Sequence, residues 1–252
     1  MRTGVVGSTA NFPSIGKGQA TVRTPQTDVV PLNVSTATTA IGLTNYNASE
    51  YSDIFDQQKV NFDERRELAQ VVGSAIGRRQ DQILLDALLA ASAGTTVANT
   101  VVTSGSASAS DLSVGKILAS KKALDAANVP PTDRHLIIHA NSLASLLGDE
   151  RAVSADYANI RALVAGEINT FCGMTVHMIG DRDEGGLNID GSNDRTCFAF
   201  HKNAVAMAVG IMPSIEVNYV PEKTSFLVTA KLAAGAGVID TAGLVDITCR
   251  EG

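Results

Sequence analysis

The sequence predicts an α+β chain of elongated, L-shaped form. Three observations point there: short β-type runs punctuated by Gly and Pro over residues 1–45, one long helical pattern starting near Asp63, and a β-rich tail over residues 215–249. With 252 residues, 44% of them hydrophobic and 18% charged, the chain has an ordinary globular composition and is long enough for one large domain or two modest ones. Aromatics are only 4% and Trp is absent, so Ala, Val, Gly and Thr carry much of the apolar and β-forming content. Small and β-branched residues suit sheets that pack closely or pair with neighbours.

Gly4, Gly7, Pro13, Gly16, Gly18, Pro25 and Pro31 break the first stretch into β-type runs over residues 20–24, 28–34 and 38–46. This arm holds too little apolar content for a core of its own. A long two-stranded ribbon is marginal in isolation, so it needs something to lie on.

The helix is expected to start at Asn61 or Asp63 and run to about Ser92, with Asp63, Glu64 and Glu67 in the first turns where the dipole favours acid. Leu68, Val71, Val72, Ala75, Ile76, Leu84 and Leu88 follow helical spacing. At 1.5 Å per residue the rod is roughly 45 Å long. Gly73 and Gly77 interrupt it four residues apart, each at about 1 kcal/mol relative to Ala. Close approach of another backbone is the expected reason. Gly94 is the expected stop. The run Asp63-Glu64-Arg65-Arg66-Glu67 and the pair Arg78-Arg79 read as a solvated helix face. In an assembly, Arg65, Arg66, Arg78 and Arg79 become candidates for contacts between subunits, and Gly73 and Gly77 for close packing.

A Ser/Thr/Ala/Gly-rich loop or weak hairpin follows over residues 95–110. Asp111 or Ser113 then opens a second helix to about Ala127, ended by Asn128 and Pro130-Pro131. From Arg134 the pattern alternates. Strands are expected over 136–139, 174–179 and 196–200, and a short helix over 142–147. Helical turns are expected over 160–164 and 167–171, a polar loop over 181–194 and a short apolar helix over 202–209. The tail reads as strands over 215–220, 226–234, 238–240 and 244–249, placed to pair back against the long helix.

Composition excludes several functions. A net charge of −6 argues against a general nucleic-acid binder, which needs a basic face, but is compatible with a container wall past which DNA slides. Cys172, Cys197 and Cys249 are odd in number and lack CxxC spacing, which predicts buried free thiols in a reducing compartment. The longest apolar runs, such as residues 204–212, fall far short of the roughly 20 residues a bilayer span requires. Residues 1–7 carry no sustained apolar stretch of a signal peptide, so a cytosolic product is expected.

A search for catalytic chemistry finds no residue set. Gly235-Ala236-Gly237 lacks the third glycine of a dinucleotide loop, since Asp240 occupies that place, and Ile15-Gly16-Lys17-Gly18 is a turn without the rest of a phosphate loop. Asp181, Asp183, Asp190 and Asp194 share one loop, but the position of the terminal EF-hand Glu holds Ser192. His135 and His139 flank a strand and so lie far apart on one face, which argues against a metal pair. No GxSxG elbow is present. The expectation is a protein without catalytic residues, cofactor or metal.

The segment Gln70-Val71-Val72-Gly73-Ser74-Ala75-Ile76-Gly77-Arg78-Arg79-Gln80-Asp81-Gln82 resembles the long spine helix of tailed-bacteriophage major capsid (coat) proteins, in a podovirus-like branch. Residues 17–20 and 25–33 resemble the segment ahead of that helix. Residues 129–134, 200–210 and 235–240 fit the same family in the same order.

The resemblance implies the Hong Kong-97-like phage capsid fold, which encapsulin nanocompartments share. It implies an extended arm loop over residues 1–48, lying over a neighbouring subunit. A peripheral domain would comprise 49–131 and 215–252, with the spine helix and long strands, and an α/β axial domain 132–214. The resemblance also implies a further N-terminal arm ahead of this loop; the chain starts almost at the loop, for which a late start site, trimming or a shortened chain are the expected explanations. The implied function is self-assembly, as pentamers and hexamers, into an icosahedral head around double-stranded DNA, with a shape change as the genome enters. Scaffolding, portal and decoration proteins are the implied partners, DNA is held without sequence specificity, and no membrane is involved. Assembly is expected in the bacterial cytoplasm and residence in the virion. The alternatives are an encapsulin-like shell and, further off, a small α/β enzyme built on residues 134–210.

Overall fold

The computed structural model describes residues 1–91, 93–103, 107–148 and 170–251. In chain order the elements are β1 (Arg2–Thr3), β2 (Thr9–Ile15), β3 (Thr36–Gly42), β4 (Thr44–Asp53), α1 (Ile54–Gln57), α2 (Glu64–Ala90), β5 (Thr95–Val97), α3 (Val114–Ala126), β6 (Arg134–His139), α4 (Ala140–Gly148), β7 (Thr170–Phe171), β8 (Met174–Ile179), β9 (Asp194–His201), β10 (Val205–Val220), β11 (Ser225–Val238) and β12 (Leu244–Arg250). They form a four-stranded sheet in the order β1-β10-β11-β4, a six-stranded sheet in the order β5-β12-β9-β6-β8-β7, and the separate hairpin β2–β3.

The helix α2 ties the two sheets together. It begins after Asp63, and Glu64 in its first turn accepts a hydrogen bond from Ser52 Oγ on β4 at 2.8 Å. Its middle buries Val72, Ile76 and Ile83 against Val209, Ala230, Leu232 and Ala234 of the four-stranded sheet. In β11 the buried positions Val228, Ala230, Leu232 and Ala234 recur every second residue, the period that puts them on one face. Farther along, Leu85 and Leu88 enter the core of the six-stranded sheet with Leu136, Phe198 and Leu244. Burying one such leucine is worth about 2 kcal/mol. The helix α3 lies on β12 and buries Ile117 and Leu124 in the same core. Its Lys116, fully buried, donates to the carbonyls of Ser110 and Thr248.

The structure corrects several local expectations. Residues 20–24 and 28–34 are not strands; the arm's ladder is instead Thr9–Ile15 against Thr36–Gly42, and β4 extends to Asp53. Residues 202–209 are not a helix: Lys202–Ala204 is a 3-10 turn, and Val205 opens a 16-residue strand. Short apolar runs fit both structures, and here the alternation of buried Ala206 and Ala208 with less buried Val205 and Met207 belongs to the strand. Residues 238–240 are no separate strand; β11 ends at Val238 and a 3-10 turn, Thr241–Gly243, follows.

The late strands also divide. β12 pairs with β9 and β5 in the six-stranded sheet, away from β10 and β11, because Leu244, Val245, Ile247 and Cys249 fill that sheet's core. Gly94 does not end α2 by a left-handed turn. The C-cap is Ala91 in extended conformation, and Gly94 is needed where its N–H meets the Thr241 carbonyl at 3.0 Å, leaving no room for a Cβ. Of the turns expected over 160–164 and 167–171, the first lies outside the described residues. The described part of the second, Thr170–Phe171, is strand.

Candidate assembly surfaces

The arm is fixed at its base and unsupported at its tip. At the base, Ala10 of β2 and Ile41 of β3 pack on Ala206 and Ala208 of β10. Ile41 fits there because Gly235 and Gly237 of β11 leave its side chain space. Beyond the ladder, residues 16–35 form an irregular tip with a turn at Pro25-Gln26. Lys17 Nζ donates to the Ala127 carbonyl at 2.9 Å, one tie of the tip's start to the body. Farther out, Val22, Val29, Val30 and Leu32 are 99%, 81%, 77% and 56% exposed. Four apolar side chains on one segment without a backbone ladder are what a partner's surface removes from water.

A second surface is the outer edge of β10. One side pairs with β11 along the strand, whereas the other meets, among the described residues, only β1, at Ala208 and Val209. Among the described residues, 211–220 therefore have no strand on their outer edge, with Ile211, Met212, Ile215, Val217 and Tyr219 half-exposed. Long apolar edges of this kind invite pairing with another chain.

The six residues singled out on α2 separate into different environments. The Arg65 guanidinium lies 4.4 Å from the centre of the Phe226 ring, and that of Arg79 lies 5.4 Å from the centre of the Tyr46 ring. Arg78 Nε donates to both Glu184 carboxylate oxygens, at 2.9 and 3.1 Å. Burial works against ionising Glu184, but its backbone hydrogen bond and Arg78 prevail and hold the carboxyl below its usual range. These three arginines are engaged within their own subunit, while Arg66 is exposed. Gly73 faces a side chain and not a backbone: a Cβ there would come within 2.9 Å of Ile215 Cδ1. Gly77 faces open space in the single chain, with nothing within 4 Å of an added Cβ.

Other polar groups brace the six-stranded sheet. Arg195 grips Glu251 through two hydrogen bonds at 2.6 and 3.1 Å, and Arg250 grips Asp194 at 2.5 and 3.1 Å. Asp194 is thereby drawn out of the acidic loop into an ion pair. The cysteines are free thiols, with Cys197 and Cys249 buried. Among the described residues no cluster of three or more His, Cys, Asp or Glu is placed to hold a metal ion, and no helix is long and apolar enough to cross a membrane. Sequence reasoning missed one juxtaposition: His135 on β6 meets His177 on β8, with Nδ1 of the first 3.0 Å from Nε2 of the second. Burial, then the neighbouring His177, lowers the pKa of His135. No local sequence signal joins positions so far apart.

A profile of the phage capsid protein family matches residues 1–251. The chain belongs to that family. As a phage capsid protein it is a structural component of the virion. Its fold is shared with solved phage particles at low sequence identity. The capsid of cyanophage P-SCSP1u matches with a TM-score of 0.77 and 15% identity, over 100% of this chain and 86% of that one. The head of Helicobacter pylori bacteriophage KHP40 matches with a TM-score of 0.74 and 9% identity, over 96% and 85%. Mycobacterium phage Che8 matches with a TM-score of 0.69 and 19% identity, again over 96% and 85%. A comparison with curated proteins finds no match.

Proposed function

We propose that this capsid protein is the major shell subunit of a tailed phage, many copies of which close into the icosahedral head around a double-stranded DNA genome. The observation that carries this is the arm, a hairpin anchored at its base whose tip exposes Val22, Val29, Val30 and Leu32. A free subunit gains nothing from such a tip, whereas a neighbour that covers it gains apolar burial. Repeated around a closed shell, weak contacts of this kind sum to a stable particle. The family match favours a phage shell over an encapsulin-like compartment.

In this reading the four-stranded sheet with α2 is the peripheral part of the subunit, and the six-stranded sheet is the axial part, meeting its copies in pentamers and hexamers. Residues 244–250 then belong with the axial part, since β12 lies in that sheet. DNA is enclosed without sequence specificity, in keeping with the net charge of −6. Scaffolding, portal and decoration proteins are the partners of assembly, which takes place in the host cytoplasm. No catalytic step belongs to the subunit's role.

Light scattering and negative-stain electron microscopy of the purified chain, alone and coexpressed with its scaffolding protein, test the reading. Uniform shells of tens of nanometres are expected. A chain that stays monomeric under both conditions overturns it.

A further inference from the structure

The imidazoles of His135 and His177 are hydrogen-bonded to each other across two strands, a contact used by neither the arm nor the strand edge. β6 and β8 run parallel, with His135 opposite Thr175 and Ile137 opposite His177. The two-residue period of strands places both rings on the same face. His135 Nδ1 and His177 Nε2 stand 3.0 Å apart and the ring centres 5.2 Å apart, so the rings meet nearly end-on through one N–H···N bond. His135 is half-buried and backed by Phe200, whose ring centre lies 5.6 Å away, whereas His177 is exposed. Both rings border a cavity of about 630 Å³.

Such a bond needs one donor and one lone pair. Two neutral rings satisfy it. So does a pair carrying one extra proton, in which an imidazolium donates to its neutral partner in a stronger, charge-assisted bond. A second extra proton leaves no lone pair at either facing nitrogen. Two N–H groups and two positive charges then oppose each other across the same gap. The surroundings do not cancel this repulsion. Burial and then His177 disfavour the charged form of His135; Asp133, just ahead of β6, favours it, and Lys202 and His201 at the end of β9 oppose it. On α2, Asp81 faces the cavity but is paired at 3.1 Å with Arg182, which follows β8. We propose that His135 and His177 form an acid-sensitive latch between β6 and β8, which keeps its hydrogen bond through the uptake of one proton and opens at the second, when the His177 ring swings out into solvent. β8 is the strand that depends on it. Among the described residues its other neighbour, β7, pairs with it at Met174 and Thr175 only, and β6 carries the rest of its ladder. A histidine whose charged form folding disfavours contributes its full stability above the ordinary value of about 6.5, and loses it as pH falls below. The latch therefore holds at neutral pH and fails in acid.

The test follows the full chain by imidazole nitrogen magnetic resonance and by hydrogen exchange of the β8 amides, from about pH 7.5 to about pH 4.5. The two rings are expected to titrate as a coupled pair, in steps at least about one pH unit apart. Across the second step the β8 amides, corrected for the intrinsic pH dependence of exchange, are expected to lose about tenfold or more of their protection, while β9 and β12 keep theirs. In His177→Gln the amide can keep the bond to His135 without taking up a proton, and β8 protection is expected to stay constant over the same range. Independent titrations with one midpoint, constant β8 protection in the unaltered chain, or an equal loss in His177→Gln each overturn the latch. Should the variant fold poorly, the titration of the unaltered chain decides.

Discussion

The carbonyl oxygen of Gly42 lies 2.0 Å from the point where a Cβ on Gly235 would stand. Both partners are backbone, so no side chain can swing aside to make room. This contact lets the base of the arm sit flush on β11, and Ile41 fills the space beside it. Gly235→Ala is expected to lift β3 off the sheet and destabilise the subunit by about 2 kcal/mol or more. Urea denaturation measures the loss, and limited proteolysis reports early cleavage within residues 9–42. Unchanged stability and protection would show that the arm does not depend on this approach.

Gly73 and Gly77 part company. Gly77 faces open space in the isolated chain, so Gly77→Ala is expected to raise its stability by about 1 kcal/mol through helix propensity. Gly73→Ala is expected to gain less, because its methyl meets Ile215. Gly77→Leu folds but lowers particle yield, on the reading that a neighbouring subunit approaches there. Wild-type particle yield from Gly77→Leu would remove any role of this glycine in assembly.

Asp246 lies on β12 opposite Phe198 and Thr96, and its Oδ1 is buried without a hydrogen-bond partner among the described residues. Burial pushes its carboxyl up to about 6. A carboxyl raised in the folded state weighs against folding only where it is ionised. The fold is therefore unaffected below about pH 4 and loses stability as pH rises toward and through about 6. Asp246→Asn is expected to raise the melting temperature at pH about 7.5 and leave it unchanged at pH about 3.5. A gain of equal size at both values would mean that charge is not the cause.

The tip of the arm separates folding from assembly. Val29 and Val30 touch little of their own subunit, so Val29→Asp with Val30→Asp is expected to leave stability within about 0.5 kcal/mol of the parent. The same pair of charges would have to be buried against a neighbour in the shell, and particles are expected to disappear from the electron micrographs. Normal particles from this variant would place the arm tip outside the assembly contacts.

Local signals were legible in the sequence. Asp63 and the acids after it mark the start of α2 within a residue, and Asn128, in left-handed conformation, marks the end of α3. What escaped was whatever depends on distant partners. Residues 202–209 read as a helix because Ala and Val tolerate both structures, and only the ladder to β11 decides between them. The tail strands looked alike, and pairing across the fold sends β12 to one sheet and β10 with β11 to the other. Of the six α2 residues, sequence spacing identified the helix that carries them. It could not tell that Arg65, Arg78 and Arg79 find partners at Phe226, Glu184 and Tyr46, or that Gly73 and Gly77 meet different surroundings. The meeting of His135 with His177 depends on a parallel crossover and left no local trace.

The position of β12 bears on when a subunit becomes complete. It is hydrogen-bonded to β5 on one side and β9 on the other, yet it is the last strand in chain order. At bacterial rates of about 5–20 residues per second, it leaves the ribosome roughly 7–30 s after β5. Throughout that interval β5 has no strand to pair with, and the places of Leu244, Val245, Ile247 and Cys249 in the core stand empty. A nascent chain therefore cannot present a finished subunit while most of it is already made. Translation must run past β12 before the sheet can close.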